Sequence, residues 1–168
     1  MEIYMKMEFL QVTGSFKERG ARYALLNLSQ EQKRVGVIAG SSGNHALALS
    51  YHATMLGIPV TVVMPLEASI IKVEKCRGMG ANVLLEGKDI TAAKNFAVEL
   101  SKKNGMTHIN GFDHPDVIAG GGTIALEINE QVQDVDAIIV PVGGGGVIAG
   151  IAVAMKRLSP NTKIIVSR

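Results

Sequence analysis

The sequence predicts an α/β protein built from parallel sheets with flanking helices, and three observations lead to that expectation. Short β-branched or apolar runs alternate with longer helical patterns, the order that βαβ units impose on a chain feeding a parallel sheet. Glycine or proline stands at most of the boundaries between those runs, where helices and strands are expected to stop. The chain has 168 residues, 47% of them apolar and only 19% charged, which is enough for a globular core and too apolar for disorder.

Taken in order, Val35 to Ala39 reads as a strand, Asn44 to Leu56 as a helix closed by Gly57, and Val60 to Met64 as a second strand ended by Pro65. That is one complete βαβ crossover. Ser69 to Arg77 reads as a helix stopped by Gly78 and Gly80, Asn82 to Leu85 as a strand, Thr91 to Lys103 as a helix ended by Gly105, and Met106 to Ile109 as a fourth strand. These elements make one complete small βα lobe. After the polar turn Asn110 to Asp116, a helix from Val117 to Gln131 leads into the apolar strand Ala137 to Val142; a helix from Val147 to Leu158 and a strand from Lys163 to Val166 follow. This second region reads as incomplete, with two strands that no later element covers. No solenoid repeat, low-complexity segment or long linker interrupts the pattern.

Composition narrows the function. The net charge of +2 arises from 17 basic and 15 acidic residues dispersed along the chain, so no dense basic block marks a nucleic-acid or anionic-lipid surface. Cys76 is the only cysteine; a disulfide framework or a thiolate metal cluster cannot be built, and a reducing, cytoplasmic compartment is expected. No run approaches the roughly 18 apolar residues that a membrane span needs, and Glu2, Lys6 and Glu8 interrupt any apolar centre of a leader within Met1 to Leu10. His52 and His108 lack partners at metal-ligand spacing, so no metal site is expected.

Three segments point to a small anionic ligand. In Pro141-Val142-Gly143-Gly144-Gly145-Gly146-Val147 the chain leaves an apolar strand and enters a helix through four residues without side chains. Such a turn exposes backbone N–H groups at the positive end of a helix and lets a phosphate approach the main chain. Two dinucleotide-type patterns, Gly144 to Ala149 and Gly120 to Ala125, also fit, but no acidic residue follows the first at the expected distance of about 20 residues. A P-loop reading fails because Gly87-Lys88 is followed by Asp89 and lacks the upstream glycine.

In Thr13-Gly14-Ser15-Phe16-Lys17-Glu18-Arg19-Gly20, Ser15 and Glu18 have capping-box spacing, which places Lys17 in the first turn of a helix. A positive charge there opposes the helix dipole, so a partly buried amine has a lowered pKa and attacks an aldehyde more readily. Ala39-Gly40-Ser41-Ser42-Gly43-Asn44-His45 is a further strand-to-helix turn, presenting hydroxyls, an amide and N–H groups to a carboxylate or phosphate.

Together these segments resemble the serine/threonine dehydratase and serine racemase branch of the tryptophan-synthase-like, fold type II enzymes that use pyridoxal phosphate (PLP). Gly14 to Ala21 resembles the family's lysine motif, Ser41 to His45 its asparagine loop, Pro141 to Gly146 its tetraglycine loop, and Val117-Ile118-Ala119-Gly120 with Gly122-Thr123-Ile124 a fourth family stretch. The resemblance implies that Lys17 carries PLP covalently and moves the substrate α-proton, that Gly143, Gly144, Gly145 and Gly146 hold the phosphate, and that Asn44 bonds the cofactor 3′-hydroxyl. It implies support of the cofactor by Phe16, and capture of the substrate carboxylate by Ser41 and Asn44 with His45 from the same loop. Ser42 is implied as the hydroxyl able to exchange a proton on the face opposite the lysine, as racemisation requires. Phe112-Asp113-His114-Pro115 resembles the dehydratases more closely, so elimination from L-threonine or L-serine ranks ahead of racemisation.

The sequence also departs from the family. Gly121 and Leu47 stand where glutamine is usual, and segments that usually precede the lysine motif and follow the tetraglycine helix have no counterpart. The resemblance therefore implies one small α/β domain, 35–113, and parts of a larger PLP-binding domain: 1–34 with the lysine and 114–168 with the phosphate loop. A truncated chain of low activity, associating as a homo-oligomer or with a full-length form, is the expectation, and a non-catalytic PLP-binding or regulatory isoform is its alternative.

Overall fold

The computed structural model describes residues 2–167; Met1 and Arg168, where the expected chain starts and stops, lie outside that range. A single 3-10 turn, Glu8–Leu10, precedes helix α1, Lys17–Leu26. The capping box expected at Ser15 and Glu18 does not form. Ser15 Oγ accepts from the Lys17 N–H at 3.3 Å, whereas the Glu18 carboxylate accepts from the Thr13 N–H and from His52 Nε2–H, the latter at 3.1 Å. Glu18 and His52 are both buried, so the pair ties α1 to α3, Asn44–Met55, and gives His52 the partner that its sequence neighbours do not supply.

A capping box does form one helix later, at α2, Gln30–Val35. Ser29 Oγ accepts from the Gln32 N–H at 3.1 Å and the Gln32 side chain accepts from the Ser29 N–H at 2.8 Å, satisfying two donors that a helix start leaves without partners. This helix absorbs Val35, and Gly36 turns the chain at φ +99°. Strand β1 therefore runs Val37–Gly40, two residues later at its start than the apolar run suggests.

The remaining elements are β2, Val60–Met64; α4, Ile70–Gly78; β3, Asn82–Leu85; α5, Ile90–Asn104; and β4, Thr107–His108. The four strands form one parallel sheet in the order β3-β2-β1-β4. Val37, Ala39, Val62 and Met64 pack on one face with residues of α1, α3 and α4, while Ile38 and Val63 pack on the other with Ala93 and Ala97 of α5. Successive strand residues point to opposite faces, so helices on both sides bury the sheet completely at its centre. The order reverses between β1 and β4, which makes the crevice beyond their carboxyl ends the topological switch point of the sheet, the place where open α/β sheets receive ligands.

The chain then forms α6, Pro115–Gln131; β5, Ala137–Pro141; α7, Gly146–Leu158; and β6, Lys163–Ser167, with β5 and β6 paired in parallel as a two-stranded sheet. Here helix packing depends on bare backbone. A β-carbon at Gly120 would stand 2.5 Å from the Arg19 carbonyl oxygen, and one at Gly122 would stand 2.9 Å from the Gly150 carbonyl oxygen. Helix α6 is thus pressed against α1 on one side and α7 on another. The Gly120 to Ala125 dinucleotide pattern lies wholly inside α6, where no strand-to-helix turn exists to hold a pyrophosphate.

Candidate active site

Lys17 is the first residue of α1, and its half-buried side chain reaches a narrow cleft between α1, α6 and α7. Phe16, Lys17, Gly20, Gly111, Val117, Gly121, Gly146 and Val147 line that cleft, so two segments far apart in sequence, the lysine motif and the end of the glycine run, share one space. The Lys17 amine donates to the Gly111 carbonyl and lies 5.2 Å from the centre of the Phe16 ring. Burial pushes the amine below the ordinary lysine value, and the Lys94 ammonium of α5 pushes it the same way. The helix-start position read from the sequence holds, and a second lysine acts beside it.

The glycine run joins β5 to α7. Gly145 caps the helix at φ +84°, and β-carbons at Gly143 and Gly145 would meet no atom within 4 Å. The Phe112 ring, by contrast, packs onto Gly144, and the Phe112 backbone onto Gly146. The Phe112 ring also lies 5.4 Å from Lys94 Nζ, a cation–π separation.

The Ser41–Asn44 turn leaves β1 at the switch point. Ser41 N–H donates to the Val63 carbonyl at 3.0 Å, and Ser41 Oγ accepts from the Gly43 N–H at 3.3 Å. Asn44 is exposed at the start of α3, and Ser42 is half-buried. Ser41, Ser42 and Asn44 stand outside the lining of the lysine cleft. His45 is buried, and its Nε2–H donates to the Ile109 carbonyl at 2.9 Å. Burial lowers its pKa to about 4, so at neutral pH the imidazole carries no charge. Its one ring N–H is committed to the Ile109 carbonyl.

Sequence reading placed a polar turn at Asn110 to Asp116 but not the contacts by which it connects these parts. Asn110 Oδ1 accepts from the N–H groups of Phe112 at 3.0 Å and Asp113 at 3.1 Å, an Asx turn that shapes Gly111 and Phe112. Gly111 holds the lysine, and Phe112 covers the glycine run. Asn-Gly at the end of a strand was the available signal, readable as a turn but not as a contact to Lys17. Among the described residues, no group of three or more His, Cys, Asp and Glu side chains is placed to hold a metal ion, and no helix is long and apolar enough to cross a membrane.

Fold and site together define an α/β protein in which a half-buried lysine amine of lowered pKa shares a cleft with the end of a strand-to-helix glycine run. The chain belongs to the family of pyridoxal-phosphate dependent enzymes, whose sequence profile matches residues 1–168. It is 48% identical over 164 residues to an L-threonine ammonia-lyase of Thermotoga maritima, covering 98% of this chain and 41% of that protein. A catabolic L-threonine dehydratase of Staphylococcus aureus is 48% identical, with 97% of this chain and 47% of that protein covered. Among solved structures, the processed form of threonine deaminase isoform 2 from Solanum lycopersicum aligns with a TM-score of 0.94 at 45% identity, covering 97% of this chain and 45% of that one. Serine racemase from Dictyostelium discoideum aligns with a TM-score of 0.90 at 41% identity, covering 96% and 52%. The chain thus spans about half the length of the relatives it matches.

The residues present fit pyridoxal phosphate. A half-buried amine of lowered pKa suits an aldehyde, and the open approach at Gly143 and Gly145 beside the first turn of α7 suits a phosphate.

Proposed function

We propose that this chain carries the cofactor-binding residues of a PLP-dependent ammonia-lyase that converts L-threonine or L-serine to a 2-oxo acid and ammonia. The observation that carries the reading is the Lys17 amine, held at lowered pKa in a cleft that it shares with the glycine run. Its similarity to threonine ammonia-lyases and a threonine deaminase supports the choice of substrate. When bound, the cofactor supplies an electron sink for the charge left as the substrate loses its α-proton. In this reading Lys17 holds the cofactor and moves that proton at its Nζ, which a lowered pKa favours near neutral pH. The N–H groups of Gly143 to Gly146 hold the phosphate, Phe16 supports the cofactor ring, and Asn44 bonds its 3′-hydroxyl. Ser41 and Asn44 orient the substrate carboxylate at the start of α3. The reading keeps the division into a small domain, 35–113, flanked by parts of a cofactor domain, and places the protein in the cytoplasm, in line with its single, buried thiol at Cys76. Association with a further chain would cover the exposed Ile139 and Val166 of the β5–β6 sheet.

Borohydride reduction in the presence of PLP, followed by peptide mapping, tests the assignment: label belongs on Lys17, and label on Lys72 or Lys88 with Lys17 clean refutes it. Gly143→Ala tests the phosphate loop without internal strain, because its β-carbon meets no atom within 4 Å and its φ is not positive. PLP affinity, read by fluorescence titration, should weaken by about ten-fold, or about 1.4 kcal/mol. Unchanged affinity would remove the loop from the site. A racemase reading has its own support in Ser42 and in 41% identity to solved serine and aspartate racemases. Release of 2-oxo acid against formation of D-serine, measured in one reaction, separates the two.

A further inference from the structure

The Gly111 carbonyl that accepts from Lys17 belongs to a turn that packs against His45. The imidazole is 95% buried by its 5% exposure, and its Nε2–H donates at 2.9 Å to Ile109, two residues before Gly111. The same ring lies under Gly111, where a β-carbon would stand 2.7 Å from His45 Cγ and 2.9 Å from Cδ2. One side chain therefore grips the end of β4 through a hydrogen bond and supports the next turn through contact. The Gly111 carbonyl at the top of that stack accepts from the Lys17 amine.

A space-filling role alone does not account for the residue type. His45 Nδ1 is buried without a hydrogen-bond partner, and such an atom costs about 1–3 kcal/mol. An apolar side chain of similar size would fill the space without that cost. What the imidazole adds is a directed N–H to Ile109, and the geometry points to His45 as a positioning residue for Lys17, acting through the Gly111 carbonyl. This inference rests on the reading of Lys17 as the cofactor lysine. The charged and titratable groups acting on the imidazole are Lys17 itself, His108 on β4 and His114 at the start of α6, while Lys94 of α5 acts on Lys17.

The test measures the initial rate of reductive labelling at each lysine when the whole chain is treated with PLP and borohydride, resolved by peptide mass spectrometry. Exposed Lys75 and Lys88 serve as internal references. The Lys17 rate should fall by about ten-fold or more in His45→Leu and His45→Asn, since displacement of a reacting group by about 1 Å can cost 100-fold. His45→Gln, whose longer amide can place an N–H near the Nε2 position, should recover most of the rate, and the reference lysines should not change. A purely space-filling role would be served by Met, which is close to Gln in volume and has no donor, at least as well as by Gln, so His45→Met against His45→Gln decides the matter even if His45→Leu fails to fold. Equal Lys17 rates in the parent, Asn and Gln chains, or no recovery by Gln beyond that by Met, overturn the inference. A parent chain that labels Lys17 no faster than Lys75 overturns instead the reading on which it rests.

Discussion

All five residues of β2 are buried in the four-stranded sheet, whereas Ile139 in the middle of β5 is 68% exposed in the two-stranded one. The two regions bury their apolar surface by different means. In the first, strand residues alternate between two faces, and helices on both sides cover them with side chains. In the second, the closest packing joins helices to each other through glycine, with α6 held against α1 and α7 by backbone contact, while the sheet keeps an open face. The cleft lies between them: α1, which packs on the four-stranded sheet and against α6, contributes Lys17, the glycine run comes from the second region and the Gly111 turn from the first. A site assembled this way depends on both modes of packing.

The largest expected effect comes from breaking the glycine-packed region. A β-carbon at Gly150 would collide with the Ile118 carbonyl and stand 2.6 Å from the Gly122 nitrogen, both of them backbone atoms of α6. Backbone can yield only by moving the helix. Gly150→Ala should therefore cost about 3 kcal/mol, at the upper end for overpacked sites, as measured by urea denaturation. A neutral result would show that α6 and α7 are not seated through bare backbone.

This difference also explains what could be read from the sequence. Strands β2 and β3 and the span of α3 followed from β-branched or apolar runs and from glycine and proline stops, because such runs report their own burial. Helix α2 did not, although Ser29 and Gln32 carry capping-box spacing, because its six residues bury no side chain and leave no periodic stripe. The capping box was instead assigned to Ser15 and Glu18, where a buried tertiary partner, His52, takes the carboxylate. At the site, Lys17 and Gly143 to Gly146 were legible as motifs. The contacts of Gly111, Phe112 and Lys94 were not, since each depends on where β4 and α5 end in space.

Acid sharpens the comparison next, because the most strongly held histidine stands at the junction of the two regions. The His45 pKa is depressed from 6.5 to about 4 by burial, so the unfolded chain takes up its proton first. The stability gained by keeping His45 neutral is complete above about pH 6.5 and is lost as pH falls through about 4, an effect on the order of 2–3 kcal/mol. His52 and His108, also lowered by burial, act in the same direction. The share removed in His45→Gln, read from thermal midpoints between pH 7 and 4, isolates His45. Glu127 follows a lower window. Arg19 holds its carboxyl down at about 2, so its contribution is present above about pH 4.5 and fades as pH falls toward 2. With 38% of its side chain exposed, solvent screening limits that contribution to below about 1 kcal/mol. A parent chain as stable at pH 4 as at pH 7 would contradict the burial of His45.

The smallest effect, and the one that separates stability from function, lies at Gly121. Its neighbours in α6 are forced to be glycine by close backbone, but a β-carbon here would meet only Val147, at 3.6 Å from Cα and 3.9 Å from Cγ2, which is ordinary contact. The residue lies inside a helix and its φ is not positive. Glycine at such a position costs about 0.5–1 kcal/mol relative to alanine through backbone entropy. Gly121→Ala should therefore raise the thermal midpoint by roughly 1–4 °C for a chain of this size. Yet Gly121 lines the cleft with Phe16, Lys17 and Val147, and an added methyl group reduces the room beside the lysine. The variant should melt higher and label Lys17 with PLP no faster than the parent does. A lower melting point would place unseen strain at this turn of α6, and faster labelling would show that the cleft, rather than being already narrow, had been too loosely packed around the amine.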